Sequence, residues 1–350
     1  MTAAPTLGWD IGGVHTKLAA VVRGRIAHTA SAAYELQRAP ASLPEVLRRL
    51  ADGATAAGVP AVPRRHAITL TAELSQRYRT KAAGVAEILE AIATAFPTDA
   101  LLVYGTDGGF HAPEAARAAP LVVAAANWHA TATLVARHHP DAILVDIGST
   151  TTDVVAVAGG VVRAEGRTDP DRLASGELAY TGMLRTPVEA IVRTVPWRGQ
   201  PAAVSAEGWA LTGDAHLWRG ALGEDDCSWP APDGRPMTRA FAAERLLRVV
   251  CADRTMADDA AVDAIAGAIA AAQVAQVKGA IAAVRRRWPA LTLAVVTGLG
   301  AVVAAEAAQR AGLRVARLAD TLGADAATIA PAAAVALLLD EAPSPMEGAA

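Results

Sequence analysis

Apolar residues recur along this chain with two spacings, alternating in short runs and helical in longer ones, and the two kinds of run follow each other in a repeated order. Leu7 to Ile11, Lys17 to Val22 and Arg25 to Ser31 predict three short strands joined by tight glycine-containing turns, an antiparallel meander. Leu43 to Ala57 predicts a helix, Ala67 to Thr71 a strand, Val85 to Ala95 a helix, Leu101 to Tyr104 a strand and Asn127 to His138 a helix. The order βββαβαβα then starts again. Ala142 to Asp146, Asp153 to Val157 and Val161 to Glu165 predict a second meander around Gly159-Gly160. Helices follow near Val188 and across Ala260 to Arg286, then a strand at Leu291 to Val296 and a closing helix at Pro331 to Asp340. The pattern is that of two related α/β halves in one chain.

One stretch breaks the repeat. Pro196 to Asp233 is rich in Gly, Pro and Trp and holds Trp197, Trp209, Trp218 and Trp229. Long irregular segments in compact domains act as lids or binding elements, or carry a small core of their own. The tail from Ala342 is expected to be disordered.

Composition narrows the function classes. With 350 residues, 53% of them hydrophobic, the chain buries a large core, and its length favours two domains. A net charge of -3 without a basic block argues against nucleic acid or an anionic membrane as partner. Cys227 and Cys251 are the only cysteines, which points away from a disulfide framework or a cysteine-rich zinc site and toward a reducing compartment. The first residues lack the character of a signal peptide, and the alanine-rich apolar runs read as broken by charge short of a bilayer span, so the expected location is the cytoplasm. Lysine occurs only at positions 17, 81 and 278.

The chemistry concentrates in a turn built twice. "DIGGVHTK", Asp10 to Lys17, aligns with "DIGSTTTD", Asp146 to Asp153, and each lies between two apolar runs. A turn of glycine and small residues between strands exposes successive backbone N–H groups, a concavity suited to phosphate oxygens. Gly12, Gly13 and Thr16 in the first copy, with Gly148, Ser149, Thr150 and Thr151 in the second, are the phosphate-binding candidates. Asp10 and Asp146, where strand gives way to turn, are the candidate ligands of a hydrated Mg²⁺, an ion that favours one or two carboxylates plus water. Two such turns would clamp one metal polyphosphate.

"GWDIGGVHTK", "VDIGSTTTD" and "VVTGLGA" resemble the two phosphate loops and the adenosine-type loop of the actin, Hsp70 and sugar-kinase superfold. That resemblance implies duplicated ribonuclease H-like domains with a central cleft, divided as 1–139 plus the closing helix 331–340, and 140–330 with the insertion 196–233. "TAELSQRYRTKAAGV", "AANWHATA", "YTGMLRTPV" and "DGRPMTRAFAAERLLRVVCAD" extend along most of the chain and look like the hydantoinase/oxoprolinase-related proteins of the tetrahydromethanopterin-linked one-carbon pathway. Such a relationship implies methanofuran or methylofuran biosynthesis. In archaeal members an aminomethylfuran-methyl diphosphate is joined to the phenol oxygen of γ-glutamyltyramine, with release of diphosphate. The implied partners are therefore a small diphosphate and a phenolic acceptor; a homo-oligomer is compatible with this reading.

On that reading Mg²⁺ and oriented donors stabilise the departing diphosphate, and Lys17 neutralises charge on it. A positioned base takes the phenol proton, with Asp153, Glu73 and Asp146 as candidates. Glu73 and Arg77 follow a predicted strand, where α/β folds present ligand-facing loops. Thr181 and Arg185 in "YTGMLRT", Asp214 in "LTGDAH", and Gly298 and Gly300 in "TGLGA" are candidate substrate contacts. The glycine-rich strand-to-helix turn at Thr297 to Ala301 keeps two other readings open. One is an ATP-dependent kinase or amidohydrolase; the other is a non-catalytic nucleotide-dependent switch.

Overall fold

The computed structural model describes residues 4–61, 64–227 and 231–342. Trp229 and the tail beyond Ala342 lie outside the described residues. Two compact units emerge, residues 1–141, 157–171 and 318–350 in the first and 142–156 with 172–317 in the second. Relative to the expected division, 1–139 with 331–340 against 140–330, segments 157–171 and 318–330 also fall in the first unit.

The first unit begins with β1 (Thr6–Ile11), β2 (His15–Val22) and β3 (Arg25–Ala33). Then come α1 (Leu43–Ala56), β4 (Arg65–Leu70), α2 (Lys81–Ala95), β5 (Ala100–Tyr104), β6 (Phe110–His111) and α3 (Asn127–His138). The sheet order is β3-β2-β1-β4-β5-β6, with β1, β4 and β5 parallel. Side chains alternate across β1. Leu7, Trp9 and Ile11 enter one core with α1 and α2. The opposite face of β1 is covered by the closing helix, Ala330–Asp340. Gly8 permits that approach, because a Cβ there would stand 2.1 Å from the Ala332 carbonyl oxygen. The last turn of the helix is pinned by Asp340, which accepts from Thr6 Oγ1 at 2.9 Å and Gly24 N at 2.8 Å and pairs with Arg65 at 3.2 Å. Buried His66 accepts from Trp9 Nε1 through Nδ1 at 3.0 Å and meets Asp99 through Nε2 at 2.9 Å. Burial pushes its pKa down to about 4, against the pull of Asp99.

The second unit repeats the strand order. β7 (Ala142–Ile147) and β8 (Thr152–Ala158) form the new hairpin, and β9 (Val161–Val162), in the segment grouped with the first unit, pairs with the far end of β8. After α4 (Asp169–Ser175), β10 (Leu178–Ala179) pairs with β8 at Asp153 and Thr152. β11 (Thr194–Trp197) and β12 (Gln200–Ala203) make a separate hairpin. α5 (Thr212–Trp218), α6 (Arg239–Arg248) and α7 (Asp259–Arg287) precede β13 (Leu293–Thr297), α8 (Ala301–Arg310) and β14 (Arg314–Arg317). The sheet runs β10-β8-β7-β13-β14, which matches β3-β2-β1-β4-β5 position for position.

Several expectations change. The strand expected over Val161 to Glu165 is two residues long, since only Val161 and Val162 favour a pleated surface before Arg163, and β10 takes the place corresponding to β3. The helix expected near Val188 is a single 3-10 turn, Val188–Ala190. The tryptophan-rich stretch contains part of the β11–β12 hairpin and α5; Trp218 is buried with Val188, Val195 and residues of α6 and α7, and Trp197 packs against that cluster. The expectation that every apolar run stops short of a bilayer span fails for α7, whose 29 residues are long and apolar enough by length and composition. Val262, Ile265, Ile269, Val277 and Ile281 of α7 are buried, and the helix packs against α5, α6, α8 and β11.

Candidate active site

In the first unit the turn from β1 to β2 is set by register. Asp10 lies opposite Lys17 on β2 and Thr69 on β4, so the three side chains share one sheet face. Lys17 Nζ is 3.1 Å from Asp10 Oδ2. Asp10 Oδ1 and Thr69 Oγ1 are buried without a hydrogen-bond partner. Such orphaned oxygens cost stability unless something outside the chain satisfies them, and a cation fits the carboxylate. Gly12 N donates to His15 O at 3.0 Å, a Cβ on Gly12 would stand 3.0 Å from that same oxygen, and a Cβ on Gly13 would meet nothing within 4 Å. The turn is therefore closed beneath Gly12 and open above Gly13. Thr16 differs from its expected setting. It pairs with Ile11, which places it on the face opposite Asp10 and Lys17, and it is fully buried.

Past β4, Glu73 is buried, with Lys81 Nζ at 3.3 Å from its Oε1. Lys81, the first residue of α2, also reaches Asp169 Oδ2 at 2.7 Å. Burial raises the Glu73 pKa, while Lys81 opposes the shift. Lys81 has no place in the sequence reading; its scarcity as one of three lysines, eight residues after Glu73, was the available signal. Arg77 stands apart in an exposed pair with Glu87 at 3.0 Å.

The second turn is enclosed more tightly. Met183 N donates to Gly148 O at 2.9 Å, and the amides of Leu184 and Arg185 both donate to Ser149 O at 3.0 Å. A Cβ on Gly182 would lie 2.4 Å from the Thr150 backbone, so only glycine admits this contact. Arg185 Nη1 reaches Thr150 Oγ1 at 3.5 Å. From another side Gly300 N donates to Ile147 O at 2.9 Å. Gly298 has a φ of +83°, and a Cβ there would meet Asp146 Oδ1 at 2.4 Å; on Gly300 it would meet Ile147 Cγ2 at 2.4 Å. Both glycines are thus explained by packing against the end of β7. Thr151 O closes the turn by accepting from Gly148 N at 3.0 Å.

Three further candidates are occupied within the protein. Asp153 pairs with buried Arg172 at 2.8 Å. Thr181 accepts from Gln273 Nε2 at 3.0 Å, and its carbonyl accepts from Thr152 Oγ1 at 2.6 Å, so it belongs to the wall behind the turn. Asp214 takes Arg245 at 2.8 Å on one oxygen and Leu211 N at 2.9 Å on the other, joining the start of α5 to α6. Burial raises its pKa against the pull of Arg245. The first unit therefore gathers Asp10, Lys17, Gly12 and Gly13, and the second gathers Asp146, Gly148, Ser149, Thr150, Arg185, Gly298 and Gly300. Among the described residues no three His, Cys, Asp or Glu side chains form a metal cluster. A cation here would rest on few carboxylates and complete its shell with water and phosphate oxygens, the habit of Mg²⁺.

Comparison with known proteins follows the same lines. Residues 64–342 match the family model described as Hydantoinase/oxoprolinase. A Methanocaldococcus jannaschii protein, (4-{4-[2-(gamma-L-glutamylamino)ethyl]phenoxymethyl}furan-2-yl)methanamine synthase, is 32% identical over 338 residues, covering 96% of this chain and 97% of its own. The Methanococcus vannielii protein of the same name is 39% identical over 111 residues, 32% of this chain and 50% of that one. Among solved structures, a nucleotide-free acetone carboxylase shares the fold with a TM-score of 0.56 at 12% identity, covering 96% of this chain and 70% of that one. Both sheets follow one order, each with an aspartate–glycine turn after its first central strand. With a family model spanning most of its length and a relative aligned nearly end to end, this chain belongs to the hydantoinase/oxoprolinase family.

Proposed function

We propose that this protein is an ether-forming transferase of methanofuran-type cofactor biosynthesis. It joins an aminomethylfuran-methyl diphosphate to the phenol oxygen of a tyramine-type acceptor such as γ-glutamyltyramine. The observation that carries this reading is the nearly full-length relationship to the M. jannaschii synthase, whose name describes a phenoxymethylfuran product. In the reaction the phenol oxygen forms a bond to the furan-bearing CH₂ carbon. The bond from that carbon to the diphosphate oxygen breaks, diphosphate leaves with the electron pair, and the phenol proton passes to a base.

Each turn serves as a phosphate-binding element in this scheme. Backbone N–H groups around Gly12–Gly13 and Gly148–Thr150, with Arg185, take phosphate oxygens, and Lys17 offsets their charge. Asp10 and Asp146 are the residues that would hold Mg²⁺, which supplies Lewis-acid stabilisation of the leaving group when bound. For the base, Asp153 and Glu73 are both ion-paired, with Arg172 and Lys81, and this reading favours Glu73 because burial raises its proton affinity against the pull of Lys81. The small soluble substrates suit a cytoplasmic enzyme.

The test is coupling with nucleotide rigorously excluded. The purified protein with Mg²⁺, the furan diphosphate and tyramine or γ-glutamyltyramine should yield diphosphate and aryl ether in equal amounts. Ether that forms only when ATP is added, with ADP or AMP in proportion, would transfer the assignment to an ATP-dependent kinase or amidohydrolase. Tight nucleotide binding without turnover would point to a switch.

A further inference from the structure

The segment "YTGMLRT", residues 180–186, wraps the second phosphate turn and is held along most of its length. Thr181 N donates to Ala179 O at 2.8 Å, its carbonyl accepts from Thr152 Oγ1 at 2.6 Å, and its hydroxyl accepts from Gln273 at 3.0 Å. Gly182 N donates to Thr186 Oγ1 at 2.8 Å, and the amides of residues 183–185 all bind the turn's carbonyls. Immediately before this locked stretch stands Tyr180. It follows β10, which pairs with β8 at Thr152 and Asp153 just past the turn. The residue is 64% exposed, more than any other large apolar or aromatic residue among those described. No ring, ionic or hydrogen-bond partner accompanies it among the described residues. A largely exposed aromatic ring at the start of a tightly held segment, beside a turn that Arg185 also reaches, is placed to meet the organic part of a phosphorylated ligand.

We infer that Tyr180 is a specificity-determining residue whose ring face packs against the furan of the diphosphate substrate and stabilises the positive charge that grows on the furfuryl-type carbon as the C–O bond breaks. This inference rests on the ether-forming reading above. A tyrosine ring carries a negative face that attracts cations, and ring stacking also selects a flat aromatic substrate over an aliphatic diphosphate. Because the charge develops during bond cleavage, the effect falls more on kcat than on KM.

Two variants and two measurements test it. Tyr180→Phe keeps the ring and should couple within about twofold of the parent. Tyr180→Leu should lose about tenfold in kcat, with inhibition by inorganic diphosphate unchanged. Calorimetric binding of the aminomethylfuran-methyl alcohol, which needs no turnover, should weaken for Tyr180→Leu and persist for Tyr180→Phe. Parent-like coupling and binding by Tyr180→Leu would overturn the inference, as would equal losses in both variants or weakened diphosphate inhibition, which signals damage to the turn. If the parent binds the alcohol in a Tyr180-dependent way yet forms no ether, the functional reading fails while the aromatic contact stands.

Discussion

The two aspartate–glycine turns, Asp10–Lys17 and Asp146–Asp153, occupy equivalent places in equivalent sheets and are furnished differently. Position 17, which lies opposite Asp10 across β1 and β2, is lysine, so the first turn carries its positive charge on the strand itself. The aligned position in the second turn is Asp153, and that carboxylate is balanced from α4 by Arg172. Positive charge instead reaches the second turn through Arg185, on a segment that also walls the turn off. Glycines follow the same division. The first turn is open above Gly13, whereas Gly182, Gly298 and Gly300 each allow another segment to pack directly on the second turn or on the end of β7. Duplication thus conserves the backbone device and leaves charge and enclosure to be assigned separately.

The largest expected effect falls on the balance that distinguishes the second turn. Arg172→Met removes the buried ion pair with Asp153 and the bond to the Glu177 carbonyl, and should lower unfolding stability by about 3–5 kcal/mol in denaturant titrations. The double variant Arg172→Met/Asp153→Leu should recover much of the loss. Failure of that recovery would show that Arg172 acts through something other than the pair.

The carboxylates common to both turns come next. Asp146→Ala and Asp10→Ala should each lower turnover by about a hundred- to a thousandfold while the protein remains folded by circular dichroism. Parent-like rates at saturating Mg²⁺ in either variant would remove that turn from the chemistry and break the symmetry of the comparison.

Acid should separate the two units. His66 in the first has its pKa lowered to about 4 by burial, and His216 in the second is lowered as well. A histidine held neutral stabilises fully above its unfolded pKa of 6.5, and that stability drains away as pH falls toward the folded value. For His66 the loss amounts to about 3 kcal/mol between those limits. Hydrogen exchange at pH 5 should accordingly rise first in β1, β4 and β5. Earlier exchange in β7 and β13 would reverse the assignment.

The smallest effect concerns Lys17. Under the proposed reaction Lys17→Met should slow turnover by about tenfold, and Lys17→Arg, which keeps the positive charge, should retain most of the rate. Equal losses in both would instead indicate a specific role for the ammonium on Asp10.

Much of this was legible along the chain because period and glycine placement are local properties. Asn127–His138 and the closing helix emerged within a residue of their true limits, since each carries an unbroken apolar pattern. The duplicated turns were visible because both copies place aspartate, glycine and small or hydroxyl residues at the same offsets between two apolar runs. By contrast, β10 and β14 are short and carry little periodicity of their own, and they become strands only by adding to a sheet already formed. Side-chain direction was likewise hidden: Thr16 sits one residue from Lys17, yet the alternation of β2 sends it to the opposite face. Local sequence determined the turns, the helices and the order of the two halves, since backbone propensity and hydrophobic period act over a few residues. Tertiary structure alone decided that Lys81 meets Glu73, that Arg172 engages Asp153, that Asp214 joins α5 to α6, and that three glycines brace the second turn. Each of these depends on how residues from different segments converge in space, whether eight positions separate them, as for Glu73 and Lys81, or 31, as for Asp214 and Arg245, and hydrophobic period alone does not encode that convergence.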